Sequence, residues 1–356
     1  MRILYAVGSW GLGHAARSLP VLEALHADGH EVTVISSGRA LLMLRRELGE
    51  RWEFLDWPHF PHTLGRTALG LYTRTAAALP ALLRVMWWER RATQALLRRR
   101  RFDRIVSDNR YGVQHPDVPS FHVTNNVRFL APGRLAALEW LLEAFNYAWF
   151  RGLRRVIVPD STEDALAGDL AHRLRIFRPK LLAYVGILSP ARARPVPRDL
   201  DAFISISGPE PQRTLLEHLI RAQVPAVGGK IVVALGRPEA PGSERLGTAD
   251  VHGFLDRRRH EEMLNRARVI VARPGFSTLS AVAEVERQAV LIPTPGQTEQ
   301  MYLASYHQGR GTVFAAAQSG LRLAEAIEAA SRRPGLAARV KTTEAVRRIV
   351  ELIRAG

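Results

Sequence analysis

The chain has 356 residues, no cysteine and a formal net charge of +16 at pH 7. That length allows two domains, each with its own core, and 47% apolar with 24% charged residues excludes wholesale disorder. Disulfides, thiolate nucleophiles and thiolate metal sites are excluded with the cysteines, and the basic excess suits a phosphorylated substrate or an anionic membrane, or simply a composition rich in arginine.

Met1-Arg2 runs straight into an apolar strand, Ile3-Leu4-Tyr5-Ala6-Val7, with no secretory leader, so export is not expected. The loop Gly8-Ser9-Trp10-Gly11-Leu12-Gly13-His14 follows, then Ala15, Leu19, Leu22 and Leu25 at helical spacing. Apolar strand, glycine loop and helix is how open parallel α/β sheets begin. Gly11 and Gly13 let the backbone approach a ligand, and the helix behind them presents N–H groups and a positive dipole end. His14 stands where loop becomes helix. Further strands are expected at 31–36, 52–55, 104–107, 120–124 and 155–158, with a loop at 58–70 and helices to residue 48, over 75–101 and over 134–151. Asp108 closes the strand at 104–107.

A linker with three prolines in nine residues, Ser189 to Pro197, ends this half. The pattern then restarts, with strands at 201–207, 230–235, 251–255, 269–272 and 290–293, a helix at 212–221 and an amphipathic tail at 342–355. The expected architecture is α/β: two Rossmann-like, doubly wound domains at 1–188 and 201–340, joined by a linker at 189–200 and closed by a helix at 341–356.

No segment is apolar enough to span a bilayer; the nearest, residues 69–88, is broken by Arg74, Pro80 and Arg84. Trp87-Trp88 beside Arg90-Arg91, and Trp140, Tyr147, Trp149 and Phe150 beside Arg151, Arg154 and Arg155, mix aromatic rings with charge. That composition suits helices lying on an anionic membrane surface. It equally suits core helices with charged outer faces.

The second glycine cluster, Arg273-Pro274-Gly275-Phe276-Ser277-Thr278, follows an apolar strand and opens a helix. Backbone N–H groups and two hydroxyls there suit a diphosphate, with Arg273 adding a charge-assisted contact. Pro295-Gly296-Gln297-Thr298-Glu299-Gln300 offers a carboxylate and two amides to sugar hydroxyls. Three other patterns carry less. Gly11-x-Gly13-x-x-Ala16 with Ser36-Ser37-Gly38-Arg39 loosely fits an NADP fingerprint. Asp199-Leu200-Asp201 matches a metal–diphosphate signature but reads as punctuation, and His59-Phe60-Pro61-His62 lacks the spacing of a metal pair.

Taken together, Gly11-Leu12-Gly13-His14, Ser207-Gly208-Pro209-Glu210, Gly253-Phe254-Leu255, the Arg273–Ser280 turn and Pro295–Gln300 resemble the GT-B glycosyltransferases, in particular the MurG-type and UDP-glucuronosyltransferase-like group. The resemblance implies two Rossmann-like domains facing across a cleft, with a tail helix crossing back to the first. It implies an acceptor site in the first domain and a nucleotide-sugar site in the second. Gly253, Phe254 and Leu255 would edge the base, and Ser207, Gly208, Glu210, Gly275, Ser277 and Thr278 would lie around the diphosphate. Gln297, Glu299 and Gln300 would hold the sugar, and His14, oriented by Asp108, would act as general base in an inverting, metal-independent transfer. One position departs from the pattern: where the family carries a ribose-binding glutamate stands Ala281, with Glu284 the nearest carboxylate.

The activity so implied is transfer of a hexosyl or N-acetylhexosaminyl group from a UDP-linked donor to a hydroxyl acceptor, lipid-linked or an envelope glycan. No resident cofactor and no nucleic-acid partner are expected, and the location expected is cytoplasmic or at the inner face of the cell membrane. The alternatives are a silent nucleotide-sugar binder, an enzyme like the UDP-GlcNAc 2-epimerases, and an NADP oxidoreductase.

Overall fold

The computed structural model describes residues 1–58, 68–130 and 139–356. The His59–His62 stretch and the first residues of the helix expected from 134 lie outside them. The chain forms two compact units, one holding the N-terminal part to Pro190 together with Arg339–Gly356, the other holding Ala191–Ala338.

In the first unit, strands β1 (Arg2–Val7), β2 (Glu31–Ser36), β3 (Glu53–Asp56), β4 (Arg104–Asp108), β5 (Ser120–Val123), β6 (Arg155–Val158) and β7 (Leu182–Tyr184) make one sheet in the order β3-β2-β1-β4-β5-β6-β7. Every neighbouring pair is parallel. Helices α1 (Gly13–Ala27), α2 (Gly38–Leu48), α3 (Ala68–Arg99) and α4 (Glu139–Phe150) belong to this half of the chain. The apolar run of β1 is continuous because both of its faces are covered. Ile3, Tyr5 and Val7 pack with Ala15, Leu19 and Leu22 of α1, whereas Leu4 and Ala6 pack with Ile35, Phe102 and Ile105.

The second unit repeats the scheme with β8 (Leu200–Ser205), β9 (Ile231–Ala234), β10 (Ser243–Leu246), β11 (Ala249–His252), β12 (Ala267–Ala272), β13 (Gln288–Leu291) and β14 (Phe314–Ala315), ordered β10-β11-β9-β8-β12-β13-β14. Only the edge pair β10–β11 is antiparallel. Its helices are α5 (Gln212–Gln223), α6 (Arg257–Arg266), α7 (Phe276–Val285), α8 (Thr298–Gly309) and α9 (Leu323–Ser331). The last helix, α10 (Thr342–Ala355), belongs to the first unit, where Val346, Ile349 and Ile353 join the cluster under α1.

Three strands were not anticipated. β7 and β14 are only three and two residues long, and β10, Ser-Glu-Arg-Leu, is a largely exposed edge with no apolar period. The strand expected at 251–255 stops at His252, because the next residue leaves the ladder. In α3 the helix continues through Pro80 and begins earlier than residue 75.

Candidate active site

In each sheet the strand order reverses next to the first strand, between β1 and β4 and between β8 and β12. Ligands of open α/β sheets bind outside the carboxyl ends of the strands at these reversals.

At the first reversal Val7 pairs with Asp108 in register, so the loop after β1 and the end of β4 lie side by side. Gly8 N–H donates to the Asp108 carbonyl at 2.8 Å. A Cβ at Gly8 would stand 3.2 Å from that oxygen, a crowded contact, and in ordinary contact with the His14 ring at 3.6 Å. Gly11 supplies the positive φ (81°) on which the loop turns into α1. Gly13 opens the helix and His14 follows in its first turn. His14 Nδ1 lies 2.9 Å from Asp108 Oδ1. The imidazole keeps 17% of its surface exposed and the carboxylate 1%. With Nδ1–H donated to Asp108, Nε2 carries the lone pair that can accept a proton.

Behind the pair lies a set of buried polar groups that the sequence did not single out. Arg17 Nε and Nη2 grip the Asp108 carboxylate at 2.8 and 2.5 Å, and Ser18 Oγ donates to it at 3.0 Å. Arg17 Nη1 donates to Asn125 Oδ1 at 2.7 Å. Burial alone would raise the Asp108 pKa, but the charges of Arg17 and His14 outweigh it and hold the carboxyl far below its usual range. The usable signal was local: Arg17-Ser18 are two polar residues one turn after His14, on a stretch of α1 that is otherwise apolar from Ala15 to Leu22.

In the second unit the expected donor residues other than Glu284 fall in loops or first turns after β11, β8, β12 and β13, which run parallel, with β9 between β11 and β8. Ser207 and Gly208 are exposed after β8, Gly208 at φ 119° and facing Thr294 of the loop after β13. Gly275 caps α7, with Ser277 and Thr278 half-buried in its first turn. Gln297 caps α8, and Glu299 follows, half-buried. Phe254 and Leu255 lie between β11 and α6, half-buried and buried.

Five residues have surroundings unlike those expected. Arg273 is turned inward and 1% exposed; Nη1 donates to the carbonyls of Ile292 and Pro293, and Nη2 to the Gln212 carbonyl and Gln318. It ties together the loops around the sheet edge, and burial lowers its pKa to about 10. Gln300 is buried and its Oε1 accepts Thr294 N–H at 2.8 Å, so it shapes its own loop. Gly253 N–H donates to the Gly242 carbonyl and its own carbonyl accepts Arg237 N–H, both at 2.7 Å. Glu210 pairs with Arg213 and caps the start of α5. Glu284 stands near the end of α7 and is 3% exposed, one turn beyond Ala281.

Asp199 bonds Lys230 and Arg266, and Asp201 accepts Lys230 N–H. Both lie at the amino end of β8, away from the loops. Among the described residues no group of three or more histidine and carboxylate side chains is placed to hold a metal ion.

The family model described as Glycosyl transferase family 1 matches residues 1–54, the segment with β1, the glycine loop and His14. A search of the curated proteins finds no match. Solved structures share the fold over nearly the whole chain. The glycotransferase of kitacinnamycin superposes with a TM-score of 0.61 at 17% identity, covering 99% of this chain and 95% of that one. MurG from Acinetobacter baumannii gives 0.57 at 15% identity, with 100% and 99% covered. A putative UDP-N-acetylglucosamine 2-epimerase from Listeria monocytogenes gives 0.60 at 12% identity, with 98% and 94% covered. The fold is therefore GT-B. The N-terminal match adds a likeness to glycosyltransferases within that fold.

Proposed function

We propose that the chain is an inverting glycosyltransferase that moves a hexosyl or N-acetylhexosaminyl group from a UDP-linked donor to a hydroxyl acceptor. The observation that carries the reading is the His14–Asp108 pair at the strand reversal of the first sheet. His14 Nε2 accepts the proton of the acceptor hydroxyl, the oxygen attacks the anomeric carbon from the face opposite the leaving group, and the nucleoside diphosphate departs with the bonding electrons. No metal is invoked: the first turn of α7, with Ser277 and Thr278, faces the diphosphate charge.

A lipid-linked or envelope-glycan acceptor fits the surface of α3 and α4, where Trp87, Trp88, Trp140, Leu141 and Phe145 are exposed and Arg90 and Arg91 follow in sequence. Exposed aromatic and basic groups together suit an anionic membrane surface. Among the described residues no helix is long and apolar enough to cross a membrane.

A thermal-shift panel of UDP, dTDP and GDP sugars against NADP tests the donor, because stabilisation follows affinity. UDP-sugars should raise Tm, and a shift with NADP alone would overturn the reading. Adding a lipid extract should then release free UDP. Free UDP and a free epimerised sugar formed without any acceptor would mark a hydrolysing epimerase instead.

A further inference from the structure

We propose that Arg17 is the positioning residue of the His14–Asp108 pair, holding the carboxylate in place and balancing its charge at the imidazole. The inference deepens the reading of His14 as the base that receives the acceptor proton, and rests on it.

The geometry is that of a two-pronged fork. Arg17 Nε reaches Asp108 Oδ2 and Nη2 reaches Oδ1, while Nη2 also lies 3.0 Å from His14 Nδ1. Each carboxylate oxygen has two partners: Arg17 and His14 on Oδ1, Arg17 and Ser18 on Oδ2. Arg17 is itself fixed by Asn125 and is 2% exposed. A bidentate guanidinium–carboxylate contact is directional as well as strong, so the oxygen that orients the ring cannot rotate away.

The charge count follows from the elements around His14. Arg17 on α1 contributes one positive charge and Asp108 on β4 one negative. His122 on β5 is neutral, since burial pushes its pKa down to about 3. Tyr5 on β1 remains a phenol, its pKa pushed up by burial and by Asp108. The imidazole thus faces a nearly balanced pair. An isolated carboxylate within 4–6 Å would favour the imidazolium and raise a histidine pKa by about 1–3 units. A base held protonated at working pH cannot accept the proton of an acceptor hydroxyl.

The test is a proton–carbon NMR titration of the full chain labelled with 13C-histidine, from pH 5 to 9. The His14 signal is assigned by its loss in His14→Gln. Arg17→Met should raise the His14 midpoint by about 1–2 pH units over the native chain. Arg17→Lys, which keeps the charge, should move it much less. Arg17→Met combined with Asp108→Asn should return it towards the native value. Asn125→Asp, which sets a negative charge against the far side of Arg17 in an otherwise intact site, should also raise it, and serves if the Arg17 variants fail to fold.

A native midpoint in folded Arg17→Met, or in folded Asn125→Asp, overturns the proposal. With donor and acceptor present, the acid limb of kcat/KM should move with the NMR midpoint; an unmoved limb in an active variant also overturns it. If the midpoints shift but the native chain transfers no sugar, the charge assignment stands and the enzymatic reading falls.

Discussion

As the proposed base, His14 would act through what lies behind it. Its ring is partly open while the carboxylate beside it is sealed, so on the proposed reading removing either should disable transfer without touching the proposed donor loops of the second unit. His14→Ala should abolish turnover, and Asp108→Asn should cut it by about 10²–10⁴-fold, while the Tm rise caused by the donor stays native. Full turnover in His14→Ala would end the base assignment. Arg273 calls for the opposite expectation. Its guanidinium satisfies three carbonyls and Gln318 inside the second unit, and each buried acceptor left bare costs about 1–3 kcal/mol. Arg273→Met should therefore lower Tm and weaken the donor-induced shift together; a native Tm with only the donor shift lost would mean that the guanidinium touches the ligand after all. The contrast marks what sequence can disclose at this scale. A histidine at the mouth of a glycine loop declares itself by position. Whether an arginine points out to an anion or in to its own loops depends on contacts such as Gln212, 61 residues away.

Elements were legible where burial on both faces makes a strand continuously apolar, as in β1 and the Val269–Ala272 run of β12, and where an amphipathic period is strong, as in α10, whose bounds match the expected tail. They were illegible where length or polarity removes the signal, as in β7, β10 and β14. The strand end at His252 follows from packing as well: a Cβ at Gly253 would sit 1.7 Å from the Ala240 carbonyl oxygen, a contact that needs the folded loop to be seen. The same holds for α3. Glu89, in the middle of what reads as a charged helix end, is fully buried and bonds Arg110 Nε at 2.8 Å and Gly112 N–H at 2.9 Å. Burial pushes the Glu89 carboxyl up against the pull of Arg110, and pushes the Arg110 guanidinium down. Such a pair is costly to form and more costly to break singly: Glu89→Gln should lose about 3–5 kcal/mol, whereas Glu89→Met with Arg110→Met should lose less than either single change. Urea denaturation of Glu89→Gln, of each methionine single and of their double checks this, and an additive double variant would show that the two charges do not depend on each other.

On the scale of the whole molecule, acid should loosen both units through one histidine in each, His122 buried and His260 half-buried. His122 of the first unit has its pKa lowered to about 3 by burial, and His260 of the second to about 4 by the same cause, against an ordinary 6.5. Both resist protons when folded and accept them when unfolded, so the stability they contribute is complete above pH 6.5 and drains away as pH falls towards 3 and 4 respectively. Asp108 adds a later loss, below its ordinary value of 3.8. For His122 the slope is about 1.4 kcal/mol per pH unit while only the unfolded chain binds the proton. The net charge of +16 also grows in acid and destabilises through self-repulsion, but that effect is screened by salt and a burial effect is not. His122→Phe separates the two. The ring already packs between Tyr111 and Phe150, with centroids 5.1 and 4.3 Å away, and its Nε2 has no hydrogen-bond partner, so phenylalanine suits the site. Urea unfolding of the native chain in high salt should show stability falling between pH 7 and 5, and the fall in the transition of the first unit should shrink by about 2 kcal/mol in the variant. An equal fall in both chains would mean that His122 is hydrated in the folded state.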